Sequence, residues 1–387
     1  MKITINKKCF LIYICVFFTI CSQMPLFREK MGIDTQSISV PLWLGVLLVS
    51  VFREKKSPLK KLIIPSIYIF CFLILIMFFQ VITNNNYLNS VMVTPILISI
   101  IMIFIGYLNC ELLDEENFKV LSRAYIFSTL LLCLDIYFSY LKNYDFNTIN
   151  YVFRAKNSAG QIIVTSIILL LYYPKKEKKI IKLISFCIML VQLYVLILIR
   201  SRASIVSLLF IPLFTLVRKN ERKKYKLLLT VIILLFIVSL FLFDDLYNLV
   251  VKNLLLNINS NRKLTSIDIN SISSYRFDYL EVFPNLLKNN YLVGIGNYYM
   301  DNFYLAALLN YGIIGGTMTI LFSLYPSYKV FNSNYLDDDK LIYIIKLIIV
   351  VYTFNSFFEC LAPFGPGTKC FFMWLIFGAY LRKRRSV

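Results

Sequence analysis

The chain has no histidine anywhere in its 387 residues. Lost with it are the side chain that most often titrates near neutrality and the commonest metal ligand. That argues against a zinc mechanism and leaves proton transfer to a carboxylate, a tyrosine or a lysine. Charge is scarce too, at 16% of residues, and acid is scarcer than base, with 21 Asp and Glu against 41 Lys and Arg. A chain that is 59% hydrophobic with a mean hydropathy of +0.71 is no water-soluble globule. Nine cysteines (Cys9, Cys15, Cys21, Cys71, Cys110, Cys133, Cys187, Cys360, Cys370) lie in or beside apolar stretches and show no CxxC spacing. Most therefore read as small apolar packers rather than a metal or redox framework. Only Cys360 and Cys370, on either side of the short loop Ala362 to Thr368, stand as a disulfide pair would, and spacing alone leaves that bond open.

What the chain does have is a series of apolar runs of about 20 residues, each long enough to cross a hydrocarbon core of roughly 30 Å as a helix. They fall at 9–24, 38–52, 62–82, 88–109, 121–141, 157–173, 180–199, 203–217, 227–243, 302–330, 340–361 and 370–381. The expected fold is all-α: a polytopic transmembrane helical bundle of about 12 spans, a single domain over 1–387. One long external loop, 244–301, separates spans 9 and 10. With the N-terminus inside, roughly two thirds of the 41 basic residues fall in cytoplasmic segments, as the positive-inside rule requires, and both termini are cytoplasmic. The net charge of +20 then reflects topology and anionic headgroups rather than nucleic acid. Lys175 to Lys179 and Arg382 to Arg385 are loop clusters, Asp337-Asp338-Asp339 is a solvated cytoplasmic loop, and Asp244-Asp245 is read as solvated at a helix end. The first run follows Lys7 and Lys8 without a small-residue cleavage site and is expected to be a retained signal-anchor helix.

External carboxylates are few: Glu29, Asp34, Asp145, Asp244, Asp245, Asp268, Asp278, Glu281 and Asp301. Against them stand three patches of external base that topology does not explain: Arg154-Ala155-Lys156-Asn157, Arg200-Ser201-Arg202-Ala203-Ser204 and Ser273-Ser274-Tyr275-Arg276. Arginine at the membrane boundary needs a partner or must snorkel to the interface. A pyrophosphate is the best geometric match, because its oxygens accept the planar fork bidentately and its charge calls for more than one cation. Asp301 is the candidate base, although an Asp at that point also fits a helix N-cap. Glu281, five residues after Arg276, is either an alternative base or that arginine's helical partner. Gly294-Ile295-Gly296 lacks the third glycine and preceding strand of a dinucleotide site and reads as a turn, while Gly312, Gly315 and Gly316 read as close helix packing. In the long loop, Leu246 to Leu256 reads as an amphipathic surface helix and Asn257 to Ser274 as a mobile lid.

Arg200 to Ser204, Tyr275-Arg276, Pro284, Gly294 to Gly296, Asp301-Asn302 and Gly312 to Gly315, in this order around one long loop, resemble the O-antigen ligase and O-antigen polymerase superfamily of bacterial membrane glycosyltransferases. The resemblance covers about residues 150–320, and each of its motifs is short and degenerate. It implies a multi-pass protein of the bacterial cytoplasmic membrane and a metal-independent transfer without cofactor on the outer side. The donor would be an undecaprenyl-pyrophosphate-linked oligosaccharide, with a chain-length regulator and a flippase as further partners. Ligases of this superfamily typically carry a histidine-asparagine pair where this chain has Asp301-Asn302, which favours the polymerase branch. On this reading Asp301, Arg202 and Arg276 are catalytic, and Arg200, Arg154, Lys156, Asn157, Tyr275, Glu281 and Asn302 bind the pyrophosphate or sugar. The alternatives are a ligase that transfers the chain to lipid A core and, from another class, a flippase of the same lipid. No internal repeat marks the two halves expected of the latter.

Overall fold

The computed structural model describes residues 9–32, 35–53, 90–141, 156–172, 178–199, 201, 203–208, 278–288, 291–296, 298–332, 340–360, 362–365 and 370–383. Among them the regular elements are helices and no strand occurs. In chain order they are α1 (Phe10–Cys21), α2 (Thr35–Arg53), α3 (Ser90–Leu108), α4 (Glu115–Ile136), α5 (Lys156–Tyr172), α6 (Lys179–Leu198), α7 (Asp278–Lys288), α8 (Phe303–Phe331), α9 (Lys340–Asn355) and α10 (Phe371–Lys383). Nine of these sit on apolar runs identified from sequence, and α7 lies in the long polar loop. The expected spans 62–82 and 227–243 lie outside the described residues, as do most of 203–217, the 246–256 helix and the 257–274 lid. Among the described residues three helices, Glu115–Tyr140, Lys179–Leu198 and Phe303–Phe331, are by length and composition long and apolar enough to cross a membrane.

Helices α3 and α10 form the tightest pair. A Cβ on Gly378 would strike the Ile103 carbonyl, and one on Gly106 would strike the Leu375 carbonyl and lie 2.9 Å from the Ala379 nitrogen. Reciprocal glycines thus bring the two backbones into contact, which is how apolar helices pack closely without a hydrophobic drive between them. The indole of Trp374 on α10 stacks on Phe364 at 5.3 Å and Phe322 at 5.4 Å, and donates to the Pro363 carbonyl at 2.9 Å. At the far end of α10, Arg382 donates to the Tyr107 and Leu108 carbonyls at 3.3 and 3.2 Å, and Lys383 to the Leu113 carbonyl at 2.8 Å and Asp114 at 3.3 Å. Arg382 thus sits where the last carbonyls of α3 have no helical partner, and Lys383 on the turn that follows.

Helix α8 is broken within its apolar run. The run at 302–330 is not a straight span, because Gly312 has φ 66° and ψ −175° and breaks it. The first segment, 303–311, is about 13 Å long and too short to cross a bilayer; the second, 313–331, is about 28 Å. The halves fold against one another, since a Cβ on Gly316 would lie 2.7 Å from the Cα of Leu308. Both rest on α9 at Thr353: Tyr304 donates to its carbonyl at 3.2 Å and its hydroxyl lies 3.0 Å from that of Ser327.

The break is filled by the Tyr291 to Tyr298 loop. The Ile295 and Gly296 amides donate to the Leu309 and Asn310 carbonyls at 2.7 and 3.2 Å, while the Ile313 amide donates to the Tyr291 carbonyl at 2.7 Å. Gly294 (φ 83°) and Gly296 (φ 90°) provide the expected turn. A Cβ on Gly312 would strike the Leu292 carbonyl, so glycine is required there both for its dihedrals and for the close approach. Gly312→Ala is expected to lower stability by about 2 kcal/mol or more, read as a fall in the melting temperature of the detergent-solubilised protein. Ile314→Ala, at an exposed position, should melt close to wild type. Equal melting of wild type and Gly312→Ala would contradict this account.

Candidate functional site

One end of the helix assembly gathers the start of α5, the turn after α6, the start of α8 and the end of α9. At Gly160, in the first turns of α5, a Cβ would strike the Ser204 hydroxyl and lie 2.6 Å from that of Ser201. The Ser201 hydroxyl is 2.9 Å from that of Ser204 and 3.4 Å from the Asn157 amide oxygen. Ser201 and Ser204 are buried, so these two serines pack directly on the first turn of α5. One turn further along α5, Gln161 accepts a 2.9 Å hydrogen bond from Asn355 at the end of α9. The next residue, Ser356, accepts the Phe303 amide at 2.9 Å. Two of the sequence patches are thereby linked through α9 to the residue two positions after Asp301.

Asp301 is half-buried and accepts the Tyr299 hydroxyl at 2.7 Å. It does not cap α8. Asn302 does, accepting the Leu305 amide at 3.1 Å on its side-chain oxygen, so the Asn302 side chain has a structural task. The run leading to Asp301 is held by Asn310, just before the break in α8. Its amide takes the Tyr298 N–H at 2.6 Å and donates to the Tyr298 carbonyl at 2.9 Å. Below this loop, Tyr279, Phe283, Leu286 and Leu287 of α7 pack on Met300, Ala306, Leu309, Tyr311 and Cys360.

A second carboxylate lies near enough for its charge to act on the same tyrosine. Glu359, 7% exposed, lies just beyond the end of α9, and its charge acts on the Tyr299 hydroxyl. Partial burial, the hydrogen bond to Asp301 and the charges of Asp301 and Glu359 together raise the Tyr299 pKa above the ordinary tyrosine value of 10.0. Tyr299 therefore stays a neutral donor to Asp301 through the physiological range.

Of the expected site residues, Arg154, Arg200, Arg202, Tyr275 and Arg276 lie outside the described residues. Lys156 opens α5 and is half-buried, Asn157 meets the Ser201 turn, and Glu281 is exposed on the face of α7 away from its packed apolar side chains. Cys360 and Cys370 are both buried thiols and no disulfide joins them. Sequence reasoning passed over Glu359, Tyr299 and Asn310. Glu359 was absorbed into an apolar run, and its signal was a carboxylate directly ahead of the 362–368 loop. Asn310 stood out only as a polar residue beside Gly312 within a long apolar stretch.

No family model matches this chain, and no curated protein matches it significantly.

The pH behaviour of Tyr299 is measurable. A folded-state pKa raised above that of the unfolded chain means that stability is kept below pH 10 and falls as pH rises beyond it. Tyr299→Phe removes this contribution, so the alkaline decline in melting temperature above pH 10 should become shallower than in wild type. Parallel declines would show that the tyrosine is not coupled to the two carboxylates.

Proposed function

We propose that the chain is a polysaccharide polymerase of the bacterial cytoplasmic membrane, with about twelve spans and both termini cytoplasmic. It would join undecaprenyl-pyrophosphate-linked repeat units, for O-antigen or capsule, on the outer side. The observation that carries this reading is the convergence at one end of the helices. Ser201 and Ser204 pack on the start of α5 at Asn157 and Gly160, and the end of α9 links that segment to Phe303, two residues after Asp301. A carboxylate and a set of cations around one membrane-level location is what transfer from a lipid diphosphate needs.

In the proposed reaction the acceptor hydroxyl gives its proton to the Asp301 carboxylate as its oxygen attacks the anomeric carbon of the donor chain. The bond from that carbon to the pyrophosphate oxygen breaks, and undecaprenyl pyrophosphate leaves with the electron pair. Arg200, Arg202 and Arg276 offset the negative charge that grows on the departing oxygens, and Arg154 and Lys156 draw the anionic lipid in. Tyr299, hydrogen-bonded to Asp301, orients the base. The proton taken from the acceptor is balanced by the diphosphate monoester released, and no further reactant is needed.

Purified full-length protein supplied with the lipid-linked repeat unit should yield a ladder of lengthening products. A single transfer to lipid A core would indicate a ligase, and translocation without a new glycosidic bond would indicate a flippase. Asp301→Asn should cut chain growth by about 10²- to 10⁴-fold, and Arg202→Ala should abolish it, with membrane insertion unchanged in both. Exposed Glu281→Gln should retain the wild-type rate; loss of growth there with full activity in Asp301→Asn would transfer the base role to Glu281. If instead Glu359→Gln abolishes growth while Asp301→Asn does not, the base is Glu359.

A further inference from the structure

Beside the proposed site lies an amide pair whose hydrogen bonding is incomplete. Gln161 on α5 and Asn355 on α9 are 1% and 2% exposed, and one 2.9 Å bond joins the Asn355 Nδ2 to the Gln161 Oε1. That bond leaves the Gln161 Nε2 and the Asn355 Oδ1 without partners. Turning both amides over reverses the bond and again leaves one donor and one acceptor open, so the deficit does not depend on which amide atom is oxygen. Buried polar atoms in proteins are nearly always paired, and an open donor beside an open acceptor is costly in the interior of a helical bundle.

The pair has a definite position. Asn355 immediately precedes Ser356, which receives the Phe303 amide, and Gln161 is one helical turn from Asn157, which meets the Ser201 turn. It lies between the segment of the candidate base and the segment of the candidate diphosphate clamp. An alcohol answers both open atoms, because one hydroxyl oxygen accepts from an amide N–H while its own proton goes to an amide oxygen. Gln192, equally buried on α6, also has an open amide oxygen, but its nitrogen already bonds Ser166.

We infer that Gln161 and Asn355 bind a hydroxyl of the saccharide carried by the lipid substrate and so are specificity-determining residues of the site. This rests on the reading of the protein as an enzyme of lipid-linked oligosaccharides. The pair reads sugar and not diphosphate, since one open donor and one open acceptor suit a neutral hydroxyl, whereas a diphosphate offers acceptors alone.

The test uses the full-length protein in nanodiscs and two probes: the polyprenyl-pyrophosphate oligosaccharide extracted from cells that make it, and undecaprenyl pyrophosphate without sugar. Gln161→Met and Asn355→Leu should each weaken binding of the glycosylated lipid by tenfold or more and leave the sugar-free lipid within twofold of wild type. Binding of the sugar-free lipid thus serves as the check that each variant is folded, and Gln192→Met, which removes a comparable buried amide, should bind both probes as wild type does. Unchanged affinity for the glycosylated lipid in both variants would overturn the inference and assign the open atoms to a buried water. An equal loss for both lipids would also overturn it, since the pair would then only hold the site's shape. If the wild-type protein binds neither probe, the polymerase reading itself fails.

Discussion

The break at Gly312 and the loop that fills it are the constraint on which the rest of the arrangement depends. A helix interrupted inside an apolar bundle frees backbone groups that have no water to turn to, and such groups must find protein partners. Here the partners are local in space and distant in pattern. The carbonyls of Leu309 and Asn310 take the amides of Ile295 and Gly296, and the amide of Ile313 takes the carbonyl of Tyr291. The Asn310 side chain then extends the pairing to Tyr298. The loop cannot shift without orphaning both its own amides and those of the break, so Tyr299 and Asp301, which follow it directly, are presented from a rigid edge.

From that edge the polar contacts run sideways. Phe303 is anchored on Ser356, Asn355 on Gln161, and the first turns of α5 on Ser201 and Ser204. The opposite end of the assembly is organised differently. There Arg382 and Lys383 are occupied with the carbonyls of Tyr107, Leu108 and Leu113, so cations serve the backbone. Between the two ends, the reciprocal glycines of α3 and α10 and the Trp374 stack give a stiff support. On the proposed function, the base would gain from such support, because transfer from a lipid diphosphate is sensitive to placement of the base within a fraction of an ångström.

Much of the helical framework was legible in the sequence, because apolar length is a strong signal: the runs at 38–52, 157–173 and 180–199 match α2, α5 and α6 to within a few residues. The break in α8 was not, since a hydropathy run continues smoothly across Gly312 and only the dihedrals show that Gly312 turns the chain. Helix α7 was touched on only through Glu281 as a helical partner of Arg276, although Tyr279, Phe283, Leu286 and Leu287 recur at helical spacing within a segment that reads as polar overall. In the candidate site, Asp301 was found because it stood at the junction of a polar loop with an apolar run. Its capping role went to its neighbour Asn302 for a reason of geometry that spacing does not carry. Glu359 was hidden by the hydrophobic residues around it, and its charge reaches Tyr299 only because the end of α9 folds against the start of α8, where Ser356 accepts the Phe303 amide.

The central claim is that Asp301 and the basic turns beside α5 surround one diphosphate-linked sugar. It is tested most directly by an experimental structure of the protein with a non-reactive lipid-linked oligosaccharide bound. The account predicts the diphosphate at the start of α5 and the 200–204 turn, with the anomeric carbon facing the Asp301 carboxylate. Density for the diphosphate elsewhere in the bundle, with Asp301 facing no sugar, would contradict it.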